Sequence, residues 1–189
     1  MVFSYARSEG KVERLAREAG RNARAGTPAE AAEKADALLL AVHWSRLDDV
    51  LEKAGDVSGR VVVTCSLPMN ADNTELVIGH TSSGAEALAK KVPKARVVCA
   101  FNTVPSEVLF GVYQARRRAA RPSLVYCGDD RRGKETAARL IGDVGFEPVD
   151  VGPLRMARHT EPFALLVARI AYEGEGGPEL AYRFERFVE

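Results

Sequence analysis

The chain has 189 residues, a formal net charge of +1, 46% hydrophobic residues and 28% charged residues. That is the ordinary balance of a globular protein, and the length fits one domain or one domain with a helical appendage. With no strong field of either sign, nothing points to nucleic acid or a membrane surface as a partner. No apolar run approaches the ~18–20 residues that cross a bilayer as a helix, and the first residues lack the pattern of a signal peptide. Cys65, Cys99 and Cys127 each sit at the end of an apolar run, with no CxxC pair among them. They read as small buried thiols in a reducing cytosol, so a cytoplasmic location is expected.

In chain order, Met1 to Ala6 reads as a strand and Ser8 to Ala19 as a helix, with Val12, Leu15, Ala16 and Ala19 at helical spacing. A brief strand fits between Arg21 and Gly26. Thr27-Pro28-Ala29-Glu30 predicts a capping box with proline in the first turn, opening a helix to about Lys34. Asp36 to Val42 is a continuous apolar run, the signature of a parallel strand buried on both faces. A short helix is predicted over Ser45 to Lys53, a strand over Arg60 to Cys65 and a polar loop over Ser66 to Thr81. Ser83 to Lys91 reads as a helix and Ala95 to Phe101 as a strand. Val104 to Gln114 is helical or irregular, and the basic stretch Ala115 to Arg121 a solvated loop. Then follow a strand over Pro122 to Cys127, a helix over Asp129 to Val144 closed by Gly145, and a short strand over Phe146 to Val151. Helices are expected over Arg158 to Tyr172 and over Glu179 to Phe187. Strands alternating with helices predict an α/β fold, a Rossmann-like doubly wound and mostly parallel sheet with a small helical C-terminal part. The expected division is 1–151 for the sheet domain and 152–189 for the helical segment, whose apolar residues would cover the core or pair two copies.

Ligands of such sheets bind beyond the carboxyl ends of the strands. Four such ends carry candidate residues. Arg7, Ser8 and Lys11 follow the first strand, where a site for a 2′-phosphate needs cations and small hydroxyls rather than an acid. Val42 and His43, with Trp44, end the apolar run. Thr64-Cys65-Ser66 ends the next strand, and Asn102 and Thr103 the one after, where an amide could orient a carboxamide or simply shape a turn. His43, His80 and His159 are far apart, and no HExxH, P-loop or cysteine–histidine cluster is present, so no metal is expected.

Taken together, Ala6-Arg7 with Lys11, Ala25 to Ala31, Ala41-Val42, Leu67-Pro68-Met69-Asn70, Gly79 to Glu86, Ala100 to Val104, Gly128-Asp129-Asp130 and Gly145 to Leu154 resemble the NADPH-dependent coenzyme F420 reductase family, between Val2 and about Tyr172. The resemblance implies an NADP(H) site and hydride transfer between NADPH and a deazaflavin, coenzyme F420. It implies that Arg7, Ser8 and Lys11 hold the 2′-phosphate and that Val42 and His43 lie along the dinucleotide. Asn102 and Thr103 would face the nicotinamide, and Pro153 and Leu154 would wall the second substrate. Hydride transfer needs alignment and exclusion of water more than an acid or base, so no catalytic side chain is expected.

One departure stands out. The family's first strand and G-x-G-x-x-G loop, roughly 30 residues of a βαβ unit, have no counterpart ahead of Val2, and Gly174, Gly176 and Gly177 follow a helix. The chain is therefore expected to start late, the alternatives being a rearranged sheet or a strand supplied by another chain, as in a dimer. The leading reading is an NADP(H)-dependent oxidoreductase acting on a small-molecule redox substrate, with a homodimer through the C-terminal helices possible. The rival is a non-catalytic Rossmann-like binding or regulatory module that has lost the phosphate loop.

Overall fold

In the computed structural model, residues 1–5 and 8–187 are described. The elements run β1 (Val2–Phe3), α1 (Glu9–Ala19), β2 (Arg24–Ala25), α2 (Pro28–Lys34), β3 (Ala37–Leu40), α3 (Leu47–Ala54), β4 (Val61–Thr64), α4 (Gly84–Lys91), β5 (Arg96–Ala100), α5 (Val108–Gln114), β6 (Ser123–Gly128), α6 (Arg131–Val144), β7 (Glu147–Asp150) and α7 (Ala157–Glu173). Short 3-10 turns at Trp44–Arg46 and Leu154–Met156 lead into α3 and α7.

Five strands form one sheet in the order β3-β4-β5-β6-β7, while β1 and β2 form a separate parallel pair. Strands β3, β4 and β5 run parallel, β6 is antiparallel to β5, and β7 is parallel to β6. This is the expected α/β, mostly parallel arrangement. The continuous apolar runs explain it, because alternate residues of one strand feed opposite faces. Val62 packs with Leu40, Leu88 and Cys99 on one face; Val61 and Val63 pack with Val98, Leu124 and Ile141 on the other. Phe146, Leu124 and Ile141 are fully buried, and each such side chain contributes roughly 1.5–3 kcal/mol by leaving water.

Local signals hold the helices in place. The predicted capping box is present: Thr27 Oγ1 accepts from the Glu30 N–H, and the Glu30 carboxylate accepts from the Thr27 N–H. Asp130 caps α6 by accepting from the Gly133 N–H at 2.8 Å. Gly145 ends α6 at φ +113°, and a Cβ there would lie 2.9 Å from the Val112 carbonyl oxygen, so only glycine fits. Ser8 occupies the N-cap of α1 without making a side-chain capping bond.

The predicted helix over Glu179 to Phe187 does not form: the described residues of that stretch, to Phe187, are irregular and extended. The Ser123 N–H donates to the Tyr182 carbonyl, and the Phe184 N–H to Ser123 Oγ, so the tail lies along the start of β6. Leu180, Tyr182 and Phe184 alternate with Ala181, Arg183 and Glu185, a period of two that suits an extended chain. Tyr182 stacks edge-on against both Phe163 and Phe184. The helical C-terminal part is α7 alone, which buries Ala164, Val167 and Ala171 and leaves Leu166 and Ile170 exposed.

Candidate functional site

The register of the parallel strands decides which residues meet. Leu40 pairs with Thr64, and Thr64 with Cys99. Residues just beyond them, Val42 and His43, Ser66, and Asn102 and Thr103, therefore lie along one row at the carboxyl edge, where ligands of such sheets bind. Ser66 Oγ donates to the Val42 carbonyl at 2.6 Å and locks the first two strand ends together. Tyr5, at the end of β1, donates its hydroxyl to Asp49 of α3. That bond lowers the Asp49 pKa and raises the tyrosine's. Lys11 is exposed in the first turn of α1, as is Ser8 before it. Arg7, the predicted 2′-phosphate ligand, lies outside the described residues.

His43 is held from both sides. Its Nδ1 accepts from the Ser45 N–H at 3.2 Å, so the ring proton sits on Nε2, which donates to Asn73 Oδ1 at 2.9 Å. Asn73 has a left-handed backbone, φ +57°, in the polar loop after β4, so that loop is pinned over the end of β3.

Asn102 is buried at 9% exposure, and neither its amide nitrogen nor its oxygen has a partner among the described residues. A buried amide left without hydrogen bonds costs on the order of 1–3 kcal/mol, so the folded chain carries an unused donor and acceptor at this edge. Its neighbour Thr103 is fully buried, and its hydroxyl shares a 2.8 Å bond with the Tyr182 hydroxyl. The Tyr182 hydroxyl also accepts from the Val125 N–H at 3.1 Å. Thr103 is thus committed to the tail, whereas Asn102 has no partner among the described residues.

Burial pushes the Cys65 thiol up to about 11, which disfavours its thiolate. Cys99 and Cys127 face each other across β5 and β6 in the core. Pro153 is exposed, whereas Leu154 is buried at 5% exposure against Val62 and Cys127, with its N–H donating to Asp129. Among the described residues no group of three histidine, cysteine or acidic side chains could hold a metal ion, and no helix is long and apolar enough to cross a membrane.

One residue escaped the sequence reading. Glu161, 1% exposed on α7, accepts from the Gly84 and Ala85 N–H groups at 2.8 and 2.9 Å. It fills the N-terminal end of α4 with the protein's own carboxylate, while Ser83 caps the Glu86 N–H and Arg158 grips the Glu86 carboxylate with two bonds. Burial raises the Glu161 pKa to about 7 against the two backbone bonds that lower it. Gly84 lets Pro68 pack tightly, since a Cβ there would sit 2.9 Å from the proline ring. An acid early in an otherwise apolar helix was the signal that could have revealed it.

Comparison with known proteins places these observations. Residues 1–68 match the family model described as NADP oxidoreductase coenzyme F420-dependent, so the resemblance read from the sequence is borne out over that stretch. The chain is 29% identical over 136 residues to Metalloreductase STEAP3 of Rattus norvegicus, covering 72% of this chain and 26% of that protein. It therefore spans about a quarter of that relative's length. Among solved structures, a candidate F420-dependent NADP-reductase from Arthrobacter sp. superposes with a TM-score of 0.77 at 22% identity, over 87% of this chain and 76% of that one. A hypothetical protein from Sinorhizobium meliloti superposes with a TM-score of 0.68 at 25% identity, over 97% and 83%. Both share the fold.

Proposed function

We propose that this chain is an NADP(H)-dependent oxidoreductase that passes hydride between NADPH and coenzyme F420 or a similar small-molecule acceptor. The observation that carries the reading is Asn102: a buried amide with an unused donor and acceptor, at the strand edge where dinucleotides bind, is matched to a carboxamide such as the nicotinamide's. The family match over residues 1–68 supports it. In this reading Arg7, Ser8 and Lys11 hold the 2′-phosphate, and Val42 and His43 line the dinucleotide's path. Thr103, fixed by Tyr182, backs the nicotinamide side, and Pro153 and Leu154 border the acceptor. The hydride chemistry belongs to the cofactor; the chain supplies placement and exclusion of water. Leu166 and Ile170, one turn apart and exposed on α7, are the contact through which two copies would pair.

The test is a titration with NADPH and NADH followed by Trp44 fluorescence. NADPH is expected to change the signal at lower concentration than NADH. Lys11→Glu is expected to remove that preference, and Asn102→Ala to weaken both cofactors about tenfold or more by removing one hydrogen-bonding group. Silence with both cofactors would sink the reading. The second reading is a non-catalytic Rossmann-like binding or regulatory module, and silence in the titration is what that module predicts.

A further inference from the structure

Phe101, the residue that follows β5, has a left-handed backbone, φ +65°. That region is crowded for a bulky side chain, and such a conformation persists only where its surroundings enforce it; it clusters at functional sites. The next three residues, Asn102, Thr103 and Val104, are buried, yet no backbone hydrogen bond among the described residues holds any of them. The turn is tied down through a side chain instead. The Thr103 hydroxyl meets the Tyr182 hydroxyl at 2.8 Å, and the Tyr182 hydroxyl oxygen accepts from the Val125 N–H of β6 at 3.1 Å. Tyr182 is fixed by other means as well. The Ser123 N–H donates to its carbonyl, and its ring lies edge-on to Phe163 and Phe184, with centroids 5.1 and 5.3 Å away. Phe101 and Tyr182 pack on the same core cluster. Asn102, whose amide nitrogen and oxygen have no partner among the described residues, therefore stands in the chain between a strained residue and a pinned one.

We propose that Tyr182 is a positioning residue, which holds through Thr103 the turn that aims the Asn102 amide at the nicotinamide carboxamide. The inference rests on the oxidoreductase reading for the identity of the ligand, and on the hydrogen bonds for the positioning. An amide recognises a carboxamide only while its donor and acceptor keep their places and directions. A turn with a left-handed residue and no backbone hydrogen bond has other conformations open to it. Each one lowers the fraction of molecules ready to bind, and the apparent affinity falls by that fraction. The tie to Tyr182 removes those conformations before the cofactor arrives. Burial raises the Tyr182 pKa, so the hydroxyl keeps its proton. Tyr182 acts through Thr103 rather than on the cofactor.

The test compares two ligands by calorimetry: NADPH, and adenosine 2′,5′-bisphosphate, which has the phosphate end and no nicotinamide. Tyr182→Phe deletes the hydroxyl and keeps the ring contacts. It should weaken NADPH about tenfold and leave the bisphosphate unchanged, whereas a merely structural loss would weaken both alike. Thr103→Val should match it, and Thr103→Ser should bind as the parent does. The double variant of Tyr182→Phe and Thr103→Val should be no weaker than either single one, because both remove the same bond. NADPH binding by Tyr182→Phe at the parent's affinity, equal weakening of both ligands, or additive losses in the double variant would each overturn the proposal. The Thr103 variants carry the test should Tyr182→Phe fail to fold. NMR of the ligand-free chain separates this inference from the reading beneath it: Tyr182→Phe is expected to shift or broaden the Asn102 side-chain amide signals. A parent chain silent towards NADPH, with Asn102 signals that move in the variant, would sink the oxidoreductase reading and retain the positioning role. Unmoved signals would overturn that role.

Discussion

Strand β4 and strand β1 are both short runs of apolar residues, yet they live in different worlds. Val61, Val62, Val63 and Thr64 are at most 2% exposed, with a strand on each side and helices on both faces. Val2 and Phe3 are half-buried, with one described neighbouring strand of two residues and a helix whose described residues bury Ala16 alone. The difference lies in what surrounds each strand, not in its own residues: a strand's stability comes from neighbours, and β1 has few. The free energy of opening is therefore unevenly spread, with the β1–β2 pair at the low end and the five-stranded sheet near the global value.

That contrast can be broken at several points. Phe146→Ala, fully buried between α6 and β7 in the core on the sheet's second face, should cost about 3–5 kcal/mol in a urea melt; a loss under about 1 kcal/mol would mean the core is looser than the packing implies. Glu161→Ala leaves the Gly84 and Ala85 N–H groups buried without acceptors and should cost about 1–3 kcal/mol in the same melt.

Glu161 also predicts a pH dependence. Its pKa in the folded chain is raised from 4.5 to about 7. Between those values the folded chain holds a proton that the unfolded chain has released, so stability from this group is present below 4.5 and is lost as pH rises through about 7. The Glu161→Gln variant should flatten the stability curve across that window relative to the parent chain; parallel curves would refute the assignment.

Thr27→Ala removes the cap of α2 and should cost about 1 kcal/mol, measured by the same melts. The smallest change sharpens the comparison most. Tyr5→Phe removes the hydroxyl's bond to Asp49 and is expected to speed amide exchange in β1 and β2 while leaving β4 and β5 unchanged. Equal acceleration in both would show that the two sheets open as one unit.

Most of the fold was legible because its signals are local or periodic. The Thr27 capping box, the Gly145 stop and the apolar runs at Ala37–Leu40 and Val61–Thr64 all act within a few residues. The tail was misread because Glu179 to Phe187 contains apolar residues compatible with either period, and its partner, the start of β6, is remote in sequence. The site was legible only in outline. The strand-end rule put Val42, His43, Asn102 and Thr103 at the carboxyl edge, but could not tell that Asn102 has no partner among the described residues while Thr103 is bound, because that distinction depends on Tyr182. Glu161 was missed for the same reason: its partners lie 76 and 77 positions earlier.

The bond between Thr103 and Tyr182, which spans 79 positions, sets an order of events during synthesis. Chains fold from their N-terminal side as they emerge, so β3, β4 and β5 can assemble well before the tail exists. Until Tyr182 leaves the ribosome, the Thr103 hydroxyl and the Val125 N–H await their partner, and the Ser123 N–H its carbonyl. The nascent chain thus passes through a stage with its sheet formed and the Thr103 hydroxyl and the start of β6 still open to water. Tyr182 and its neighbours act as a late-arriving stopper, and a ribosome stalled shortly before them would display a folded sheet with the Thr103 hydroxyl still without its partner.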